Sequence, residues 1–221
     1  MRRHVPAIFI RSKAGILAAL LAGCSTLPAS AQHKPSAPRT QTVVCFGDSL
    51  TAGYGAAPGT SYPDFLRKAL EAASYHATIL NQGISGNTTK DGVSRVANII
   101  AEHPSLVLLE FGANDGLRGQ PVDGIQRNLV TMIEALQHAH IKVLLLGMQL
   151  PPNLGPDYVK PFDAMYPALA ARYKLRLVPF LLKDVYGHDE LMSADSMHPN
   201  GAGYAQVARN VLPFVEPLLE K

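Results

Sequence analysis

From residue 42 to the C-terminus, short apolar runs alternate with longer amphipathic stretches. The runs are rich in leucine and β-branched residues, which is typical of strands buried on both faces of a sheet. Strands are predicted at residues 42–46, 78–81, 106–111, 143–148 and 175–180. Helices are predicted at residues 62–74, 91–102, 122–139 and 157–173, with a last helix from Pro199 or just after it. Strands joined through helices need crossover connections, so the pattern predicts a three-layer α/β/α domain with a five-stranded, parallel, doubly wound sheet.

Two parts of this pattern predict core positions. The apolar residues of the stretch 122–139 recur at helical spacing and should face the sheet. They are Ile125, Leu129, Met132, Ile133 and Leu136. Cys45 lies inside the first apolar run, and no cationic residue adjoins it in the sequence. We therefore expect Cys45 to be a small buried hydrophobic residue in a strand rather than a reactive thiol.

The chain begins with a segment that has the composition of an export signal. An apolar stretch at residues 14–23 is shorter than the ~20 residues that span a bilayer. Four basic residues precede it, namely Arg2, Arg3, Arg11 and Lys13. Residues 1–23 are therefore predicted to be a signal peptide, which is removed from the mature protein.

The end of this segment leaves two cleavage sites open. Leu21-Ala22-Gly23-Cys24 resembles a bacterial lipobox, in which cleavage precedes a cysteine whose thiol then carries diacylglycerol. Ala29-Ser30-Ala31 has the small-x-small pattern of ordinary cleavage. We favour lipidation of Cys24, which predicts membrane attachment as a periplasmic lipoprotein. Cleavage near Ala31 would instead give a soluble periplasmic or secreted protein, and both alternatives place the mature chain outside the cytoplasm.

Composition also separates a tether from the domain. Residues 24–41 are rich in Pro, Ala, Ser and Thr without an apolar period, which predicts a flexible tether before one domain at residues 42–221. Six of the 20 basic residues and none of the 17 acidic residues lie in residues 1–41, which leaves 14 basic against 17 acidic residues in the domain. Because the domain lacks a basic excess, no nucleic-acid partner is expected.

Polar segments follow every predicted strand, and in a doubly wound sheet ligands bind outside the carboxyl ends of the strands. Gly47-Asp48-Ser49-Leu50 follows the first strand, Gly83-Ile84-Ser85-Gly86-Asn87 the second and Gly112-Ala113-Asn114-Asp115 the third. A loop rich in Pro and Gly at residues 149–156 follows the fourth, and Asp195-Ser196-Met197-His198-Pro199 lies beyond the fifth. The sequence therefore predicts a functional site at one edge of the sheet.

Three of these residues have the chemistry of a nucleophilic triad. A serine hydroxyl such as that of Ser49 needs a nearby base and a group that orients the base. Asp195 and His198 lie three residues apart, so the carboxylate can reach one ring nitrogen and leave the other to face Ser49. Pro199 restricts the backbone of His198 to extended conformations, which helps to fix the base.

Acyl transfer also needs hydrogen-bond donors for the oxyanion, each worth roughly 3–4 kcal/mol. The backbone N–H groups of Ser49 and Gly86 and the side-chain amide of Asn114 are the candidates. Glycine and asparagine are also common turn residues, so none of them is decisive alone. Their combination on one predicted edge is what favours an oxyanion hole.

Four short blocks of the sequence resemble those of the SGNH, or GDSL, hydrolases. They read Phe-Gly-Asp-Ser-Leu-Thr-Ala-Gly-Tyr-Gly, Asn-Gln-Gly-Ile-Ser-Gly-Asn-Thr-Thr, Phe-Gly-Ala-Asn-Asp-Gly-Leu-Arg-Gly and Asp-Ser-Met-His-Pro-Asn. Their order and spacing are similar to the family from about residue 42 to residue 200. Asn-Asp-Gly-Leu-Arg-Gly and Leu-Pro-Pro-Asn-Leu-Gly resemble its periplasmic thioesterase, arylesterase and lysophospholipase branch. That branch often has Gly-Gly-Asn-Asp where this chain has Gly-Ala-Asn-Asp, which predicts a tighter loop.

The resemblance implies a flavodoxin-like fold and a serine esterase. Ser49 would be the nucleophile, His198 the general base and acid, and Asp195 the group that orients it, with Ser49, Gly86 and Asn114 forming the oxyanion hole. The implied substrates are small acyl esters, including aryl esters and lysophospholipids, and acyl thioesters. No cofactor, metal or obligate protein partner is implied.

Two other interpretations remain open. The first is a metal enzyme, suggested by four possible ligands near the C-terminus: His188, Asp189, Asp195 and His198. They lack the spacing of a zinc hydrolase. A surface lipoprotein that binds ligands without catalysis is the second. Smaller expectations concern Asp48 and Asp115, which should brace loops by accepting backbone N–H groups, and Ser85, which should be a loop residue. Residues 149–158 should shape the acyl or leaving-group site.

Overall fold

The computed structural model describes residues 40–221. The predicted signal peptide, the proposed lipidation at Cys24 and all but the end of the predicted tether lie outside the described residues. Within residues 40–221, no helix is both long enough and apolar enough to cross a membrane.

The domain is built on one parallel sheet. Its strands are β1 (Gln41–Gly47), β2 (Ala77–Gly83), β3 (Leu106–Leu109), β4 (Lys142–Leu146) and β5 (Arg176–Val178), in the spatial order β2-β1-β3-β4-β5. β1 pairs with β2 from Gln41 opposite Ala77, and with β3 from Val43 opposite Leu106. The prediction of a five-stranded, doubly wound α/β fold is confirmed.

Seven α-helices lie among the described residues. They are α1 (Ser49–Ala52), α2 (Tyr62–Ala72), α3 (Thr89–Ala101), α4 (Ala113–Leu117), α5 (Val122–His138), α6 (Pro156–Tyr173) and α7 (Gly201–Val215). α2 packs against α7, whereas α3 packs against α5 and α5 against α6. The sheet therefore has helices on both faces, as expected for connections that cross from one parallel strand to the next.

Local sequence sets several helix starts. Ser61 and Asp64 form a reciprocal capping box at the start of α2, and Thr88 and Asp91 form one at α3. The last helix begins at Gly201 rather than at Pro199, because the side chain of Asn200 caps it by accepting the Gly203 N–H at 3.0 Å. Pro199 instead lies opposite Met192 in an isolated β-bridge.

Burial confirms the predicted core of the central strands but not of the sheet edge. β3 is buried throughout, and so are the five predicted positions of α5. Cys45 is fully buried, and burial raises the pKa of its thiol to about 12. β2 is only partly buried, because it is an edge strand with one neighbour. The expectation that every strand is buried on both faces is wrong for both edge strands, since β5 is also buried only at Val178.

Candidate active site

The site lies where the strand order reverses. β1 neighbours both β2 and β3, and their connections leave on opposite faces of the sheet, which opens a crevice at the carboxyl ends of the strands. Ser49 begins α1 directly after β1, and Asn114 lies in α4 after β3. These residues were predicted in turns, and both lie in helices of one turn or slightly more. Such helices are too short to show an amphipathic period.

The segment 47–51, here called the serine turn, is fixed from below by a buried carboxyl group. Glu110 Oε2 accepts the Asp48 N–H at 3.0 Å and the Thr51 hydroxyl at 2.9 Å. A Cβ atom at Gly47 would lie 2.3 Å from the same oxygen, so only glycine fits there. Asp48 caps α1 by accepting the Leu50 N–H at 3.0 Å. The prediction that Asp48 braces its loop is confirmed.

Sequence reasoning missed Glu110. It was placed inside the predicted strand 106–111, whereas β3 ends at Leu109. A signal existed, because a carboxylate inside an otherwise apolar run is costly to bury without a specific partner. Glu110 is fully buried, and its Oε1 has no hydrogen-bond partner among the described residues.

Burial also sets the ionisation of this carboxyl pair. Burial, with the adjacent Asp48 carboxylate, raises the pKa of Glu110 well above its usual range. Burial likewise raises the pKa of Asp48 to about 6, although hydrogen bonds from Leu50 and Asn114 oppose the increase. The raised pKa favours the protonated form of Glu110, whose Oε2 still accepts both hydrogen bonds of the serine turn.

The three predicted triad residues come together. Ser49 Oγ lies 2.9 Å from His198 Nε2, and His198 Nδ1 lies 2.7 Å from Asp195 Oδ2. Ser49 is buried, with 8% of its surface exposed, whereas the Asp195 side chain is 39% exposed. The hydroxyl and the imidazole are 149 residues apart in sequence and meet only through the fold.

Segment 192–199, here called the histidine loop, is held by local hydrogen bonds. Asp195 Oδ1 accepts the Met197 and His198 N–H groups, each at 2.9 Å, and the Ser193 hydroxyl at 2.8 Å. The Ser193 N–H donates to the His198 carbonyl at 2.8 Å. Desolvation raises the pKa of Asp195, but these bonds and that of the imidazole outweigh it and hold the pKa below its usual range. Asp195 therefore accepts these hydrogen bonds as an ionised carboxylate.

The three predicted oxyanion donors differ in availability. Among residues 40–221, the backbone N–H groups of Ser49 and Gly86 donate to no protein acceptor. Gly86 has a φ of +82°, a conformation that favours glycine. Asn114 Nδ2, in contrast, donates to Asp48 Oδ2 and to the Asn87 carbonyl, each at 3.0 Å. Two donors are therefore free, and the third is engaged in the resting site.

A largely apolar cleft of about 620 Å³ opens beside Ser49 and His198. Residues Gln149, Leu150, Pro151 and Pro152 line one side of it, so part of the predicted loop 149–158 reaches the cleft. Ser85 also lies on the wall. Asp115 does not, because its carboxylate accepts the Thr89 N–H at 2.8 Å and braces the start of α3, as predicted.

The alternative metal cluster does not form around the triad. Among residues 40–221, no group of three or more His, Cys, Asp or Glu side chains is arranged to hold a metal ion. His188 lies 3.5 Å from Glu190 in an exposed pair, and the ring of His198 is already shared between Ser49 and Asp195.

Residues 45–206 match the GDSL-like Lipase/Acylhydrolase family, and the chain belongs to this family. The prediction of an ester hydrolase is confirmed. The esterase TesA of Pseudomonas aeruginosa is 40% identical over 203 residues, which are 91% of this chain and 99% of that protein. Thioesterase 1/protease 1/lysophospholipase L1 of Escherichia coli K12 is 32% identical over 181 residues, 81% of this chain and 82% of that protein. A crystal structure of TesA superposes with a TM-score of 0.78 at 41% identity, covering 81% of this chain and 100% of the other.

Proposed function

We propose that Ser49 is the nucleophile of a serine esterase, with His198 as general base and acid and Asp195 as the residue that orients it. The observation that carries this proposal is the pair of contacts at His198, 2.9 Å to Ser49 Oγ and 2.7 Å to Asp195 Oδ2. They are within the reach that proton transfer requires. The Asp195 carboxylate holds the proton on Nδ1 and leaves Nε2 free to accept from Ser49.

The reaction then proceeds through an acyl-enzyme. Ser49 Oγ attacks the carbonyl carbon while its proton passes to His198 Nε2, and the carbonyl oxygen becomes an oxyanion. Ser49 and Gly86 supply the two free N–H groups to this oxyanion. Asn114 supplies a third N–H group when its amide gives up the hydrogen bond to the Asp48 carboxylate and donates to the oxyanion instead. His198 gives the proton to the leaving oxygen or sulfur, and water attacks the acyl group by the same route.

The substrates proposed are carboxylic esters with small or apolar parts: aryl and short acyl esters, lysophospholipids and acyl thioesters. The apolar lining of the cleft supports them, and one of the relatives is named for thioesterase and lysophospholipase activity. The triad chemistry is the same for all of them, so the walls of the cleft set the preference. No step draws on a metal or cofactor, and EDTA should leave the rate unchanged.

The test is turnover of p-nitrophenyl acetate and butyrate by the purified domain. Wild-type protein should release p-nitrophenol, and a Ser49→Ala variant should not exceed the buffer rate. Equal rates for the two proteins would reject the enzyme and favour the non-catalytic binding protein.

We also propose that the mature chain is exported to the periplasm and anchored through lipidated Cys24. The basic and apolar pattern of residues 1–23 and the lipobox-like Leu21-Ala22-Gly23-Cys24 support this. In a bacterium with two membranes, wild-type protein should appear in the membrane fraction, and a Cys24→Ala variant should not. Soluble wild-type protein with an N-terminus just after Ala31 would indicate ordinary cleavage instead.

A further inference from the structure

The exposed large hydrophobic side chains of residues 40–221 are not scattered over the surface. There are five: Tyr54, Ile84, Leu117, Tyr186 and Met197, each between 41% and 56% exposed. Four of them line the cleft beside the triad, and only Ile84 does not. Exposed apolar side chains gathered around one opening are typical of a binding surface.

Two of these side chains lie next to His198, and a third lines the same cleft. The Tyr54 ring packs on the imidazole, with centroids 4.7 Å apart and an interplanar angle of 60°. Met197 precedes His198 in the histidine loop, and Tyr186 lines the same cleft. Tyr54 is held by its backbone, because its N–H donates to the Ser49 carbonyl at 3.0 Å and its carbonyl accepts the Tyr204 hydroxyl at 2.8 Å.

Part of the remaining apolar lining is different in kind. Met148 and Leu150 also line the cleft, but they are 4% and 7% exposed and lie after β4. The cleft lining therefore includes two sets of apolar side chains: a buried set after β4, and a half-exposed set, here called the aromatic wall, made of Tyr54, Tyr186 and Met197. Within the aromatic wall, Tyr54 packs on the imidazole.

The direction of proton transfer indicates which of these two sets of side chains faces the leaving group. In acylation the imidazole must give its proton to the leaving atom of the substrate, so that atom has to lie close to His198 Nε2. A group attached to the leaving atom then extends along the wall that touches His198. We propose that Tyr54, Tyr186 and Met197 form a leaving-group subsite, and that this subsite takes an aromatic alcohol. The inference rests on the proposed function and adds to it the side chains that select an aromatic leaving group.

The chemistry of the wall fits a flat apolar group. Tyrosine rings pack on aromatic rings in offset or edge-to-face geometry, and a methionine thioether contacts ring edges favourably. One such contact changes a rate or binding constant by roughly 3- to 10-fold. A small alkyl alcohol is too short to cover the wall and gains little from it.

The experiment varies the alcohol and the acid separately. Ethyl acetate and 2-naphthyl acetate share the acetyl group, whereas p-nitrophenyl acetate and p-nitrophenyl octanoate share the leaving group. For each substrate kcat/KM of a variant is divided by that of the wild type, so the intrinsic reactivity of the ester cancels. Tyr54→Ala should lower the ratio for 2-naphthyl acetate about 3- to 10-fold more than the ratio for ethyl acetate, mainly through KM. Its ratios for the two p-nitrophenyl esters should be equal.

Two variants serve as controls. Tyr54→Phe keeps the ring and should keep the aryl preference, whereas Ile84→Ala removes an exposed side chain outside the cleft and should change neither ratio. Equal losses for ethyl and 2-naphthyl acetate, with a displaced acidic limb in the pH profile, would mean that Tyr54 only supports His198, and would overturn the subsite.

A loss in the Tyr54→Ala variant that grows with acyl length would place the acyl chain on this wall and would also overturn the subsite. Wild-type turnover no higher than that of Ser49→Ala would reject the proposed function and the subsite together. If the wild type turns over normally and one of the overturning results above is seen, only the subsite is rejected and the proposed function stands.

Discussion

Ser49 and His198 reach the cleft from two regions that are held in different ways. The serine turn lies on the core: Ser49 is 8% exposed, and the fully buried Glu110 supports the turn through Asp48 and Thr51. The histidine loop lies at the surface, and the 39% exposed side chain of Asp195 holds it through four hydrogen bonds.

The carboxyl groups of the two regions have opposite pKa shifts. Burial raises the pKa of Asp48 and Glu110, so carboxyl groups on the core side hold their protons more tightly than usual. Hydrogen bonds outweigh desolvation at Asp195 and lower its pKa, so the surface side favours a carboxylate. Tertiary packing therefore positions Ser49, whereas a local turn built around the Asp195 carboxylate positions His198.

The largest effect is expected from His198→Ala. Loss of the proposed general base should lower kcat by about 10⁶-fold. The thermal unfolding midpoint should stay within a few degrees of the wild-type value, because His198 is partly exposed and is not one of the buried core side chains. Stopped assays measure kcat and thermal scans measure the unfolding midpoint, both on the same preparation. Substantial remaining activity would contradict the role of His198, and a large drop in the midpoint would mean that the His198 side chain contributes to the stability of the fold.

Asp195→Asn should have a smaller effect, a decrease in kcat of about 10⁴-fold. The amide retains an oxygen for the backbone N–H groups but no longer supports a positively charged imidazole. In the wild type the lowered pKa of Asp195 stabilises the folded state above about pH 4, and this stability is lost as the pH falls further. The variant should therefore unfold with less dependence on pH at the acid end. A variant as active as the wild type would remove Asp195 from the mechanism.

Glu110→Leu should lower the free energy of unfolding by about 2–4 kcal/mol, because the Asp48 N–H and the Thr51 hydroxyl lose their acceptor. Chemical denaturation measures this loss. Glu110→Gln is the matched control, since its amide oxygen still accepts both hydrogen bonds, and it should retain activity within a few-fold of the wild type. Equal destabilisation by both substitutions would mean that the charge, and not the acceptor, is what Glu110 provides.

The same control variant tests the pKa shifts. A raised pKa means that the folded state keeps protons that the unfolded state loses, so this stability is fully present below about pH 4 and is lost as the pH rises. For Asp48 the loss falls between about pH 4 and its pKa of about 6, and for Glu110 it extends higher. The free energy of unfolding of Glu110→Gln should therefore fall less steeply than that of the wild type between pH 5 and pH 8. Parallel slopes would contradict a raised pKa at Glu110.

The smallest effect is expected from the loop 149–158. Four of its residues line the cleft, so a substituted loop should change the preference among p-nitrophenyl acyl chains by a few-fold without loss of the acetyl activity. A series of esters from acetate to octanoate measures the profile. An unchanged profile would show that the loop borders the cleft without selecting the acyl group.

The sequence alone determined the five strands, the five longer helices, their order and most of the candidate residues. Strand and helix patterns depend on nearby residues, and parallel connections allow few topologies, so the doubly wound sheet followed from them. Ser49, Gly86 and Asn114 could be chosen because they follow strands that must end at one edge. Asp195 and His198 are three residues apart, so their contact was also a local matter.

Only the tertiary structure decided how these residues are held. The contact between Ser49 and His198 spans 149 residues, and no local pattern specifies a distance of 2.9 Å over that separation. Glu110 resembles a strand residue until the end of β3 and the position of Gly47 are known. The hydrogen bond from Asn114 to Asp48 likewise joins side chains from distant elements. The same holds for the contact between the Tyr54 ring and the imidazole. Burial and contact between such elements are properties of the packed chain, because they arise only when the layers close on one another.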